Sequence, residues 1–129
     1  MRKGIAMRSA IALLCVVGAA CGGSTPPAGP DPPPSGPLIT ISTSGIVSPK
    51  ELTVSPGARV LFTNRDARRH DMTSDPHPDH TDCPEINQVG ALTTGQTRET
   101  GNLVAVRACG FHDHDDPNNT NLQGRIVVR

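Results

Sequence analysis

The sequence contains no tryptophan and no tyrosine, and only two phenylalanines, in 129 residues. Proteins that hold single-stranded nucleic acid stack its bases on aromatic rings, so that class is excluded. Net charge is missing as well, since 12 Lys and Arg stand against 12 Asp and Glu. The balance hides an asymmetry. The first twenty residues hold Arg2, Lys3 and Arg8 and no acid, and without them nine bases face twelve acids, a formal charge of −3. A binder of phosphate backbones needs a basic footprint that the remaining chain lacks, so no nucleic-acid partner is expected. Sustained helical periodicity is also absent. Thirteen Gly and thirteen Pro disfavour a helical bundle, because both are poor in helix interiors. At this length a single domain is the prior.

What is present divides the chain into three parts. Residues 1–20 read as an export signal, with a basic start followed by the uncharged apolar stretch Ala10 to Ala20. That stretch is too short to span a bilayer, which takes ~20 residues, and it suits a signal peptide. It ends in Gly18-Ala19-Ala20-Cys21-Gly22-Gly23-Ser24. Small residues before a Cys resemble the lipobox of bacterial lipoproteins. The resemblance implies that Cys21 is lipidated and becomes the mature N-terminus, while Cys15 leaves with the signal. An ordinary secretory peptide cut near Ala20 would export the domain equally. Residues 21–37 continue as a proline-rich spacer, extended and without a core of its own. The expected location is periplasmic or at the cell surface, with acyl chains as the contact to a membrane.

Residues 38–129 are enough for a compact domain with a modest core. Leu38, Ile39 and Ile41 form a short β-branched run. Leu52 and Val54 alternate with polar residues before the Ser55-Pro56-Gly57 turn, and Val60 to Thr63 reads as the next strand. Leu103 to Val106 reads as another, and Ile126 to Val128 as the last. Glu85 to Leu92 offers a helical turn or two at most. Short Val/Ile/Thr runs between Gly, Pro and Asn turns predict an all-β antiparallel sandwich or barrel.

All five His and the two remaining Cys fall in two polar segments at the expected strand ends. One holds His70, His77, His80 and Cys83; the other runs Cys109-Gly110-Phe111-His112-Asp113-His114. Thiolate and imidazole are donors for copper or zinc. Zinc is the weaker choice, because no Cys-x2-Cys element is present. Pro49 to Asp66, with its Pro56-Gly57 turn and Asn64, followed by His70, resembles the plastocyanin-like cupredoxins, the type 1 blue copper family. That family runs strand, Pro-Gly turn, strand, Asn and a first His ligand. Its last two strands bracket a loop that starts with a Cys and continues with a His. Cys109, His112 and the stretch Leu122 to Val128 look like that loop, and the resemblance covers residues 38–129.

The resemblance implies a small Greek-key β-sandwich holding one type 1-like copper ion between His70, Cys109 and His112. It places Leu122 at the axial position and Asp71 where a side chain orients His70. His114 is the alternative to His112, through a Cys-x4-His spacing. The implied function is one-electron carriage between exported redox partners. Cys83 leaves a second possibility open: in an exported domain two cysteines readily form a disulfide. A Cys83–Cys109 bridge would remove the thiolate and leave a stapled binding or copper-handling module. Cys83 joining the ion as an extra ligand is a third possibility. His77 and His80, in a proline-broken loop, are expected at the solvated surface, with copper collection as the sharper alternative. Arg65, Arg68 and Arg69 form a basic cluster beside His70, either solvated or facing an acidic partner. No Ser/His/Asp arrangement is present, and the carboxylates at 113–116 are too local for acid-base catalysis, so no enzymatic activity is expected.

Overall fold

The computed structural model describes Gly29 and residues 35–129. The signal region, Cys15, Cys21 and most of the spacer lie outside the described residues. Among the described residues no helix is long and apolar enough to cross a membrane.

Among the described residues nine strands follow in chain order: β1 (Leu38–Ile41), β2 (Val47–Ser48), β3 (Glu51–Val54), β4 (Leu61–Asn64), β5 (His70–Ser74), β6 (Gly90–Leu92), β7 (Thr97–Glu99), β8 (Arg107–Asp113) and β9 (Gly124–Val128). A 3-10 turn at Ile86–Gln88 stands where the sequence allowed a helical turn. The strands form two sheets, ordered β2-β1-β4-β7 and β3-β9-β8-β5-β6. The all-β sandwich expected from the sequence is therefore present. Its pairings are mixed, however, since β1 runs parallel to β4 and β3 runs parallel to β9. Parallel neighbours are joined through the other sheet, so no local turn signal announces them.

Alternation along each strand decides what the core contains. Ile39 and Ile41 of β1, Phe62 of β4, Met72 of β5, Phe111 of β8 and Ile126 of β9 are fully buried. The chain's two phenylalanines meet edge to face across the two sheets, with ring centroids 5.1 Å apart. Such a pair adds about 1 kcal/mol beyond the burial of its area. Cys83 and Cys109 are joined in a disulfide, 26 residues apart in sequence with Cα atoms 5.7 Å apart, and both are fully buried. In the chain-entropy view a loop of this length contributes ~3.5 kcal/mol. With so few aromatic side chains available, that covalent link is a substantial part of what holds the sandwich.

One strand differs from the sequence reading in a way that matters for function. The apolar run Leu103 to Val106 is not a strand. Leu103 makes a single bridge to Ala58, and Val104 and Val106 are exposed. The strand lies further on, in Arg107–Asp113, because Cys109, Phe111 and Asp113 alternate into the interior there. Cys109 therefore sits within β8 and not at the start of the following loop.

Candidate metal centre

The register of β8 against β5 sorts the candidate ligands onto two faces. Directly opposed residues in an antiparallel pair point to the same side. Met72 opposes Asp113 and Thr73 opposes His112. Met72 is buried in the core, so Asp113 is on the inner face and His112 on the outer one. His70, two residues before Met72, is also on the inner face.

On the inner face His70 is 1% exposed, and both of its ring nitrogens are occupied. Nδ1 lies 2.7 Å from Asp113 Oδ2 and Nε2 lies 2.9 Å from Asp66 Oδ2. Asp113 is held in turn, with its Oδ1 accepting from the backbone N–H groups of Asp71 and Asp115. The His70 hydrogen bond holds the Asp66 carboxyl below its ordinary range, against a smaller opposing effect of burial. Neither nitrogen of His70 has a free lone pair to offer an ion. Cys109 has no thiolate to offer either, because its sulfur is bonded to Cys83. The expected set of His70, Cys109 and His112 is therefore not assembled. Two members share the interior with partners of their own, and the third lies on the opposite side of the sheet. Leu122, expected at the axial position, is fully buried as part of the hydrophobic core. Asp71 does not orient His70 through its side chain, which pairs with Arg69, and Asp113 fills that role. The basic cluster is largely engaged with local acids, Arg68 with Asp66 and Arg69 with Asp71 and Asp115.

On the outer face a different cluster is assembled. The segment between β5 and the 3-10 turn leaves β5 at Ser74, carries His77 and His80, and ends at Cys83. Its two ends are fixed to adjacent residues of β8. The Asp75 N–H donates to the Gly110 carbonyl at 3.0 Å, and Cys83 is bonded to Cys109. This brings His77 and His80 over His112, and one ligand atom from each of the three lies within 4.8 Å of the others. The rings of His77 and His80 are 5.5 and 5.1 Å from that of His112.

Each ring in contact with the fold is oriented by a hydrogen bond from the nitrogen facing away from the cluster. His112 Nδ1 lies 2.6 Å from Asp75 Oδ1. Asp75 can lie across the strand there because the residue beneath it is Gly110. A methyl group at 110 would collide with the Asp75 carboxylate oxygen and approach its Cγ to 2.9 Å. The other nitrogen of His112, Nε2, is buried and has no hydrogen-bond partner. An orphaned buried polar atom costs about 1–3 kcal/mol, so its presence asks for a ligand. His80 donates from Nδ1 to the Ser74 carbonyl at 2.9 Å, which leaves Nε2 as its acceptor. His80 also holds a left-handed backbone at φ 53°, a conformation uncommon outside glycine that His adopts more readily than most residues. His77 is exposed, yet partial desolvation and then the neighbouring His114, His112 and His80 push its pKa below the ordinary value, against a smaller opposing pull from Asp79. A lowered pKa keeps the imidazole neutral, the form that binds a metal.

Imidazoles oriented through one nitrogen, by the Asp75 carboxylate at His112 and the Ser74 carbonyl at His80, with ligand atoms converging on one point are the arrangement of histidine metal sites. They fit an ion of the copper or zinc type, for which imidazole is a suitable donor. The sequence placed His77 and His80 at the surface and gave copper collection as the alternative; the geometry brings them to the site. The available signal was the His112-x-His114 spacing, which puts both rings on one side of a strand.

No known family model matches the sequence, and no curated protein matches it. Solved structures do match the fold. A purple cupredoxin from Nitrosopumilus maritimus is 20% identical over 72% of this chain and 99% of its own, with a TM-score of 0.56. Oxidized plastocyanin from Dryopteris crassirhizoma is 17% identical over 71% and 99%, with a TM-score of 0.55. An amicyanin variant in its Cu(I) form is 18% identical over 73% and 82%, with a TM-score of 0.54. The described domain thus has the cupredoxin fold, as the sequence resemblance implied.

Proposed function

We propose that this chain is an exported copper-binding domain whose ion is held by histidines on the outer face of the sandwich. The observation that carries the reading is the buried, partnerless Nε2 of His112, directed by Asp75 and met by His77 and His80. Copper is favoured over zinc because it stands at the top of the affinity order for nitrogen sites. A fold neighbour that carries copper, the Cu(I) amicyanin, points the same way. The cupredoxin fold supports a domain of the electron-carrier type, and the proposed partners are exported redox proteins. The histidine set supports copper handling, meaning uptake, storage or delivery, and the Cys83–Cys109 bond favours this second use by leaving no thiolate. A tether through lipidated Cys21 and the proline-rich spacer would hold the domain near a membrane at the periplasmic or outer surface.

Titration of the purified chain with Cu(II), followed by paramagnetic resonance and the visible spectrum, tests the reading. One equivalent of copper with nitrogen hyperfine structure and a weak visible band is expected. Thiol titration of the denatured protein should find Cys83 and Cys109 oxidised. An intense thiolate-to-copper band together with a free thiol at Cys109 would restore the thiolate site and overturn the histidine assignment.

A further inference from the structure

Four imidazoles, and not three, meet at this point of the surface. His114 follows His112 by two residues, and its backbone N–H donates to the Asp71 carbonyl at 2.7 Å. That bond carries the β5–β8 ladder one residue past the end of β8, so the period of two puts the His114 side chain on the same face as His112. The His114 ring centroid lies 4.9 Å from that of His80 and 5.1 Å from that of His77. The rings of His77 and His80 are thus each within 5.5 Å of those of both His112 and His114.

The hydrogen bonds give His114 a definite place. The Ser74 carbonyl can only accept, so His80 Nδ1 carries the hydrogen and Nε2 carries the lone pair. His114 Nδ1 sits 2.9 Å from that Nε2 and donates to it. The lone pair that an ion would take from His80 is therefore held by His114 beforehand. Resting on the copper reading above, we propose that His114 is the fourth ligand. On this view the arriving ion takes the lone pair of His80 Nε2, and the displaced His114 ring turns to bind the same ion. His114 is exposed, so the turn disturbs no packing. A set of four neutral imidazoles suits Cu(II), whose preferred tetragonal arrangement takes four nitrogens.

The opposite role is the rival: His114 as a cap that competes with the ion for His80. The two predict opposite signs. His114→Ala should weaken Cu(II) binding at least tenfold, the lower end of what partners of a metal site are worth, and pulsed paramagnetic resonance should count three coordinated imidazoles where the parent chain shows four. Unchanged or tighter binding by His114→Ala, with the same imidazole count as the parent, would overturn the proposal. His112→Ala is the control. If the parent binds Cu(II) and His112→Ala does not, the copper reading stands whichever way His114 falls. If the parent binds no Cu(II), both fail together.

Discussion

His70 and His112 lie on adjacent strands of one sheet, each nearly out of contact with solvent, and they have opposite chemistry. His70 faces the core, and carboxylates take both of its nitrogens. His112 faces outward, and a carboxylate takes one nitrogen while the other is left bare. The same side chain is a structural bridge on one face and presents an unpartnered nitrogen on the other. The difference comes from how many partners the surrounding strands supply. Two aspartates satisfy an imidazole; one aims it. Counting histidines in a sequence therefore says little about a metal site until each lone pair has been traced to its partner.

The largest effect expected from breaking the comparison is on the inner side. Asp113→Ala takes the Nδ1 partner from buried His70 and the acceptor from the Asp71 and Asp115 N–H groups. With Asp66 still holding Nε2, the cost is about 3 kcal/mol, the lower end for breaking a buried pair. Chemical denaturation should show that loss, while Cu(II) affinity of the folded fraction stays near that of the parent. A large drop in affinity with little loss of stability would place Asp113 at the metal site and not beneath it. Next comes the outer side. His112→Ala should weaken Cu(II) binding by about 100-fold or more, exceeding the loss typical of an outer partner, as measured by competition titration. Its unfolding midpoint should move less than that of Asp113→Ala, because the parent already bears the cost of an unpartnered nitrogen.

The smallest effect separates the two faces by pH. One shifted group marks each face, His77 outside and Asp66 inside, and each lies below its ordinary value, 6.5 and 3.8 respectively. At each, the unfolded chain binds protons before the folded one, so stability falls as the solution is acidified. The outer contribution should be lost as pH falls from 6.5 through the lowered value of His77. The inner one should follow below 3.8 as Asp66 is protonated. Melting temperature recorded against pH should show both declines, with His77→Ala removing the upper and Asp66→Asn the lower. A single decline that neither substitution alters would contradict the assignment of these groups.

Much of the fold was legible because its strands announce themselves. The β-branched run of β1, the Leu61 to Thr63 stretch of β4 and the closing Ile126 to Val128 lie where the sequence puts strands, and the Pro56-Gly57 turn lies between β3 and β4. β8 was hidden. Its inward residues include an acid, Asp113, and its outward ones include Gly110 and His112, so polarity does not alternate along it. The more apolar Leu103 to Val106 reads as the strand instead, although both of its valines are exposed. That shift in register moved Cys109 from a loop into the sheet, where it reaches Cys83. It also separated His70 from His112. The kinds of ligand were legible in the sequence; their grouping was not, because grouping depends on which face each strand presents.

The disulfide has a consequence beyond the stability it lends. The segment carrying His77 and His80 begins and ends on adjacent residues of β8, pinned by Asp75 at one end and by Cys83 at the other. Two imidazoles tethered so closely above His112 meet it at an effective concentration far above that of free ligands, of the millimolar order that even flexible short tethers reach. On the copper reading proposed above, an ion that let go of one ring would be recaptured before it could leave. The covalent link deep in the core would then act on the residence time of an ion at the surface.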